Sequence, residues 1–181
     1  MRYTSLLRGI NVGEHKKILM GQLKTLYEGC GFKNVVSYIQ SGNVIFDSAE
    51  RDIDSLYKSI EQTIESKYAF HVPVDIRTHT ELKKILENCP FEEAASEENG
   101  SKVLVLFLKS EPFNEKFEAL LEYLKASEQL ATGKREVYLY CPEGYGKSKL
   151  TNTLIEKKLG TSATTRNWKS VKKLYELSIR H

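Results

Sequence analysis

Two stretches of helical periodicity, set among short β-rich runs, constrain the fold of the first 78 residues more than any other feature. Apolar residues that recur every three or four positions mark one face of a helix. The first such face is formed by Leu19, Leu23, Leu26 and Cys30. The second is formed by Ile53, Leu56, Tyr57, Ile60 and Ile64. The pattern therefore predicts two helices, each with one face against a core.

Four β-rich runs surround these helices: Tyr3–Gly9, Val35–Gln40, Asn43–Phe46 and Val72–Arg77. The middle two are joined by Ser41-Gly42, a pair typical of a hairpin because glycine supplies the positive φ that a tight turn needs. The resulting order is strand, helix, strand, strand, helix, strand, which is the split βαβ or ferredoxin-like plan. Residues 1–78 are therefore predicted to form one ferredoxin-like unit.

Residues 79–181 repeat this alternation less regularly. The predicted elements are a helix opened by the capping box Thr78–Glu81, a strand at Val103–Leu108, a helix from Ser110, a strand at Val137–Cys141, and helices near 148–159 and 167–179. We predict a second, degenerate ferredoxin-like unit with C-terminal helices, and an α+β fold with helices packed on antiparallel sheets. No residue-level repeat links the halves. The acidic segment 90–101 is predicted to be a mobile loop.

Composition argues against several classes of protein. The longest apolar run, Val103–Leu108, is too short to cross a membrane. The N-terminus has no apolar stretch of signal-peptide length, so a cytoplasmic location is expected. Three widely spaced cysteines argue against a disulfide framework and a structural zinc site, and Cys30 and Cys89 are expected to be inert core residues. The four histidines lack metal-ligand spacing, so no metal site is predicted.

Charge is distributed unevenly along the chain, although the formal net charge is only +3. Residues 134–181 hold eleven Lys/Arg and four Asp/Glu, a net charge of +7, whereas residues 79–133 carry −5. This asymmetry predicts a local positive field in the last quarter of the chain.

The first candidate motif is Gly144-Tyr145-Gly146-Lys147-Ser148-Lys149, between a predicted strand and a predicted helix. Its glycines, lysines and Ser148 are typical of a helix N-terminus that binds an anion. A complete nucleotide-triphosphate loop is absent, because the position that requires its first glycine is Cys141. The alternative is a glycine turn with solvated lysines. A nucleophilic Ser148 with a lysine base competes with the commoner role of a serine cap.

The second candidate motif is the stretch from Gly160 to Lys169. Gly160 is predicted to end one helix, and Thr165 or Asn167 to cap the next. Arg166 offers paired donors to a phosphate or carboxylate, and Trp168 offers a stacking face. The alternative makes Trp168 a core residue and the threonines caps.

The third and fourth candidate motifs, Arg8–Gly13 and Tyr38–Asn43, each place polar residues and glycines on a turn beside a strand. If the first strand and the hairpin are neighbours in the sheet, the polar side chains of both motifs converge. These side chains are Arg8, Asn11, Gln40 and Asn43. Turn chemistry alone accounts for Gly42 and Asn43 better than for Arg8 and Gln40.

Four motifs occur in order along the chain: RGINVG, YIQSGNVIF, VYLYCPEGYGKSKLT and LGTSATTRNWKSVKKL. On them the sequence resembles, over essentially its whole length, a bacterial family catalogued as domain of unknown function 1697. It departs from the family's pattern at Glu14, where a second glycine is usual, and at Tyr140-Cys141, where His-Tyr is frequent. The resemblance implies paired ferredoxin-like units. It supplies no activity, cofactor, substrate or catalytic residue.

Three functions remain open on the sequence alone. A binding module for a phosphate-bearing ligand, a nucleotide or nucleic acid, is favoured by the basic last quarter and by the ferredoxin-like sheet, on which RNA-binding domains stack bases. Against it, the K/R-G-F/Y-G/A-F strand signature is missing and the pI of about 8.6 is low for such a protein.

The second function is an enzyme on a small phosphorylated or carboxylated molecule, its anion held by Arg8, Lys147 and Arg166. The third is an interaction protein that assembles through an exposed sheet or the acidic loop. The oligomeric state stays open.

Overall fold

The computed structural model describes residues 1–91, 93, 96, 100–112 and 114–179. The strands are β1 (Arg2–Leu7), β2 (Lys33–Tyr38), β3 (Asn43–Asp47), β4 (Val74–Thr78), β5 (Val103–Leu108), β6 (Gln129–Thr132), β7 (Glu136–Tyr140) and β8 (Ala163–Asn167). The helices are α1 (Met20–Gly29), α2 (Ile53–Tyr68), α3 (His79–Glu87), α4 (Asn114–Leu121), α5 (Asn152–Leu159) and α6 (Trp168–Ser178). Half of the predicted mobile loop 90–101 falls outside the described residues. Among the residues that are described, no helix is both long and apolar enough to cross a membrane.

The chain divides into two compact units. The first consists of Met1–Leu82 and the stretch from Leu174 onward, and the second of Lys83–Lys173. This division differs from the boundary predicted at residue 78, because the end of α6 belongs to the first unit. There the ring of Tyr175 stacks on His79 at 4.7 Å between centroids, and the Leu177 carbonyl accepts a hydrogen bond from Arg2.

The first unit has the strand order β2-β3-β1-β4, with every neighbouring pair antiparallel. Its elements follow the split βαβ order that the sequence predicts. One face of the sheet packs with α1 and α2 into a core that includes Tyr3, Leu7, Phe46, Leu23, Leu26, Leu56, Ile60 and Ile64. The helix faces predicted from periodicity are confirmed except at the ends of α1, where Leu19 precedes the helix and is 65% exposed, and Cys30 follows it and is only partly buried.

The second unit repeats this plan, with the strand order β6-β7-β5-β8 and antiparallel pairs throughout. Leu104, Leu106 and Leu108 of β5 pack with α5 into a second core. The predicted α+β fold, with helices packed on antiparallel sheets, is therefore confirmed.

Two boundaries in the second unit differ from the sequence prediction. Residues 163–167, interpreted as the cap of a helix, form strand β8 beside β5, because the β-branched Thr164 and Thr165 fit a pleated strand. The helix predicted to start at Ser148 begins at Asn152, with the Thr151 side chain as its N-cap.

The structure also reveals a residue-level repeat between the two halves, which was not predicted from the sequence. Thr4 of β1 pairs with Arg77, and Val105 of β5 pairs with Arg166, so the two arginines occupy equivalent positions. The residue after each arginine caps the next helix. Thr78 Oγ1 accepts from the backbone N–H of Glu81, and Asn167 Oδ1 accepts from that of Ser170.

The repeat continues into the helices that follow. A Lys-Lys pair stands six and seven residues after each arginine, flanked by apolar residues on both sides. The pairs and their flanks are Leu82-Lys83-Lys84-Ile85 and Val171-Lys172-Lys173-Leu174. The strand-to-helix junction is thus a feature that the two halves share in sequence as well as in topology.

Candidate functional site

The loop after β1 and the turn before β3 meet at one end of the first sheet. Antiparallel pairing sets Leu6 of β1 opposite Asn43 of β3, and the Leu7 N–H donates to the Gly42 carbonyl at 2.8 Å. The third and fourth sequence motifs therefore come together, as expected if strand one and the hairpin are neighbours. We call residues 8–19 and 39–43 the Asn11 corner.

The Asn11 side chain holds this corner together. Its Nδ2 donates to the Gln40 carbonyl at 2.8 Å and to the Ile18 carbonyl at 2.9 Å, and lies 3.4 Å from Gln40 Oε1. Its Oδ1 accepts from the Ile18 N–H at 2.9 Å, and its backbone N–H donates to the Lys16 carbonyl at 3.1 Å. One amide thus closes the loop on itself and fastens it to the hairpin turn.

Asn43 has a different role within the corner. Its side chain is buried, and Nδ2 donates to the Tyr38 carbonyl at 3.0 Å and to Ser41 Oγ at 3.1 Å. These bonds stabilise the hairpin turn from inside, which agrees with the turn chemistry inferred from the sequence. Asn43 therefore supports the corner, whereas the side chain of Gln40 is exposed at its surface.

The backbone of the corner is unusual. Six of its residues have positive φ angles: Gly9, Asn11, Gly13, Lys16, Ile39 and Gly42. Ile39 is the most strained of them, because a β-branched residue rarely adopts the left-handed region, here at φ 49°. Strain of this kind costs about 1–3 kcal/mol and occurs most often at binding and catalytic sites. Periodicity gave no signal for it, since the sequence places Ile39 in a strand.

The corner carries more positive than negative charge. Residues 8–19 include Arg8, Lys16 and Lys17 against Glu14. Lys16 is held in place, because its Nζ donates to the His71 carbonyl at 2.7 Å and lies 5.9 Å from the Phe70 ring centroid. The Arg8 backbone N–H donates to the Pro73 carbonyl at 2.9 Å, and Lys17 is exposed to solvent.

The glycine-rich motif of the second unit is built differently from the predicted anion cradle. Residues 145–147 form a single 3₁₀ turn, separated from the start of α5 by four residues. The N–H groups of Gly144, Lys147 and Ser148 donate to the carbonyls of Cys141, Gly144 and Tyr145, within the same loop. The prediction that this motif stands at a helix N-terminus is therefore wrong, because α5 begins only at Asn152. The loop folds on itself, and what it presents to solvent is the side chains of Lys147 and Lys149.

Ser148 Oγ accepts a hydrogen bond from the Leu150 N–H at 3.1 Å, within the segment that leads into α5. Next to it, the Cys141 thiol is buried, and burial raises its pKa to about 11.

Cys30 and Cys89, expected in the core, are only partly buried, because both lie at or beyond a helix end.

The residues of the second motif separate onto two faces of β8. Thr165 Oγ1 contacts Asn152 Oδ1 of α5, which also accepts from the Tyr145 hydroxyl at 3.4 Å. Arg166 points to the opposite face, because successive side chains of a strand alternate. It is buried, and its Nη1 donates to the Thr165 carbonyl at 2.9 Å. Within the second unit, Arg166 thus lies on the opposite face of β8 from Thr165, whose partner Asn152 contacts Tyr145 of the loop with Lys147.

The remaining residues of that motif are structural. Asn167 caps α6 through Ser170, as predicted, whereas Thr165 caps no helix. Trp168 is buried, so it serves as a core residue and offers no stacking face. Among the described residues, no group of three or more His, Cys, Asp or Glu side chains is arranged to hold a metal ion.

Comparison with known proteins places this architecture in a family. Residues 1–138 match the family described as "Protein of unknown function (DUF1697)". No curated protein matches the chain. A conserved bacterial protein from Streptococcus pneumoniae has a similar solved structure, with a TM-score of 0.78 and 26% identity over 98% of each chain. Because the family match covers most of its length, the chain belongs to the DUF1697 family of proteins of unknown function.

Proposed function

We propose that the protein binds a phosphate-bearing ligand, a nucleotide or nucleic acid, at the Asn11 corner. The observation that carries the proposal is the Asn11 amide, which locks two loops from distant parts of the sequence into one exposed, net positive surface. A surface fixed in advance loses little conformational entropy on binding. Lysine and arginine side chains bind phosphate through charge-assisted hydrogen bonds.

The glycine-rich loop of the second unit is a weaker site for such a ligand. Three of its N–H groups already donate to carbonyls of the loop itself, so they are not available to an anion. Its lysines offer charge without the backbone donors that give a phosphate site its geometry. Lys147, Lys149 and the residues around β8 therefore stay outside the proposed site.

Base stacking on the second sheet is also unsupported. Its strands carry Tyr138 and Tyr140, but the Tyr138 hydroxyl donates to the Ile85 carbonyl at 3.0 Å, and Tyr140 lies 6.3 Å from the Phe91 ring. Residues of α3 and the segment after it thus cover this face within the same unit. RNA-binding domains need exposed aromatic side chains on such a face.

The enzymatic alternative receives less support than binding. An enzyme of this kind would place Ser148 or Asn11 near the chemistry, and the Asn11 side-chain amide is already engaged on both sides with Gln40 and Ile18. Such an amide positions the loop and has little capacity left for a reacting group.

Tripolyphosphate titrated into the protein at low salt tests the proposal. We expect a rise in thermal stability with ligand concentration, as mass action requires for a ligand of the folded state. Lys17→Ala is expected to weaken binding about tenfold or more, since a hydrogen bond to a charged group contributes about 1.5–3 kcal/mol. Affinity should fall as salt rises, because phosphate binding releases counterions.

Two further variants make the result specific to the corner. Asn11→Gly keeps the positive φ but removes the side-chain bonds, so it is expected to weaken binding at least as much as Lys17→Ala. The matched control is the double variant Lys147→Ala/Lys149→Ala, which removes two exposed lysines from the other unit. Loss of binding in this control with normal binding by Lys17→Ala would move the site to the glycine-rich loop. No binding by the unmodified protein would refute the proposal.

A groove in the first unit favours a second candidate function, assembly through strand addition. The groove has a volume of about 690 Å³ and borders β2, an edge strand of its sheet. Two of its lining residues, Val36 and Ile179, are exposed apolar side chains. An exposed edge strand offers unpaired backbone groups to an added strand, whose side chains would contact Val36 and Ile179. Sedimentation should then show self-association that Val36→Lys abolishes; a monomeric mass at high concentration would contradict it.

A further inference from the structure

The Asn11 corner is apolar as well as basic. Seven large apolar side chains are exposed among the described residues, and three of them belong to this corner: Val12 at 67%, Leu19 at 65% and Ile39 at 46%. Single exposed apolar residues are ordinary on a protein surface, but a group of them marks an interaction site.

All three residues adjoin the hydrogen-bonded cluster of the corner in sequence. Val12 follows Asn11, Leu19 follows Ile18, and Ile39 precedes Gln40. The amide of Asn11 joins Ile18 to Gln40, so each apolar residue stands one position from a group in that hydrogen-bonded cluster. The left-handed backbone of Ile39 and Asn11 keeps the arrangement in place.

From this juxtaposition, and resting on the proposed function, we infer that the corner takes a nucleotidyl unit, with the base packed on Val12, Leu19 and Ile39 and the phosphate near Lys17. Inorganic phosphates and sugar phosphates offer no apolar face to these side chains. A nucleobase offers a flat face, and its edge carries hydrogen-bond donors and acceptors. Gln40 follows Ile39 in the chain and is exposed, so its amide can supply matching groups.

A phospholipid surface is the other phosphate-bearing partner with an apolar part. It fits the corner less well, because the amide of Gln40 would enter the acyl layer together with Ile39, and burial of an unpaired amide is costly. Three aliphatic side chains also offer little apolar surface compared with the apolar face of a membrane-binding helix.

Leu19 gives a test that does not endanger the fold. It is the N-cap residue of α1, with extended φ and ψ of −71° and 131°, and its side chain makes no capping bond. Serine is a preferred N-cap, so Leu19→Ser is expected to raise the thermal midpoint while it removes apolar surface from the corner. The control is Leu121→Ser, since Leu121 of α4 is 44% exposed and lies in the other unit.

The experiment measures binding of a labelled oligothymidylate by fluorescence anisotropy. The unlabelled competitors are an abasic oligomer of equal length, thymidine monophosphate, tripolyphosphate and phosphatidylglycerol vesicles. We expect the base-bearing strand to bind more tightly than the abasic one, and Leu19→Ser to weaken only base-bearing ligands, by about fivefold. Monophosphate binding as tight as the strand assigns the site to a free nucleotide.

The other outcomes separate this inference from the proposed function. Equal affinity for the two oligomers, unchanged in Leu19→Ser, overturns the inference and leaves phosphate binding intact. Vesicle binding that Leu19→Ser abolishes, without preference for base-bearing strands, also overturns it and identifies a membrane surface. If none of the probes binds, the proposed function fails as well.

Discussion

Replacing Arg77 by methionine is expected to lower the free energy of unfolding by about 3–5 kcal/mol, the loss typical of a buried ion pair that keeps only one charge. Arg77 is 1% exposed, and its Nη1 lies 3.2 Å from Oδ1 of Asp75, which is 3% exposed. Methionine fills much of the space of the arginine but leaves the Asp75 carboxylate buried without this cation. Chemical denaturation followed by circular dichroism measures the change.

The Arg77→Met loss has a matched rescue. The double variant Asp75→Asn/Arg77→Met also removes the negative charge at Asp75 and is expected to recover part of the loss. Arg51→Met, at an exposed position of the same unit, should stay within about 0.5 kcal/mol of the unmodified protein. A similar loss in the single and double variants would show that packing, and not charge, is responsible.

Gly42→Ala is expected to cost about 2–5 kcal/mol, as the sum of backbone strain and overpacking. Gly42 has a φ of +78°, and a Cβ there would lie 2.6 Å from Cδ1 of Ile10 and 2.9 Å from Cβ of Leu7. The Ile10 side chain has some freedom to move, but the Leu7 Cβ is fixed by its strand. The variant should therefore weaken the junction of β1 with the hairpin, and the free energy of unfolding measures that directly.

Gly31→Ala isolates the contribution of the contacts at Gly42. Gly31 has a similar φ of +83°, and a Cβ there would meet no heavy atom within 4 Å beyond its chain neighbours. Alanine at this position suffers only the strain of the left-handed region, about 1–2 kcal/mol. If the two variants lose equal stability, the close approach of Leu7 and Ile10 to Gly42 has no energetic consequence.

The first unit was predictable from its sequence because its apolar periods are clear. Leu23, Leu26, Ile60 and Ile64 repeat at helical spacing, and Ser41-Gly42 signals the hairpin between two runs of strand composition. The same rule failed at Leu19, because the apolar spacing continues one residue upstream of Met20, where α1 begins. Strand β8 was missed because Thr164 and Thr165 suit a helix cap as well as a strand, and only the pairing with β5 decides between them.

The candidate site was predictable only in part. The meeting of Asn11 and Gln40 follows from turn chemistry once β1 and β3 are neighbours. The left-handed conformation of Ile39 could not be predicted, because local preference opposes it and the tertiary structure imposes it. The glycine-rich loop differs from its prediction for another reason. Its sequence is typical of an anion site, but three of its N–H groups donate to carbonyls of the loop itself.

The division of the chain bears on how the protein is made. The unit that contains the N-terminus also contains the stretch from Leu174, and the Arg2 guanidinium donates to a carbonyl 175 residues away, at Leu177. During synthesis the first half leaves the ribosome early but acquires its last contacts only after the stretch from Leu174 has been translated. The uninterrupted segment Lys83–Lys173 can finish folding sooner. The half that is translated first is therefore the one completed last.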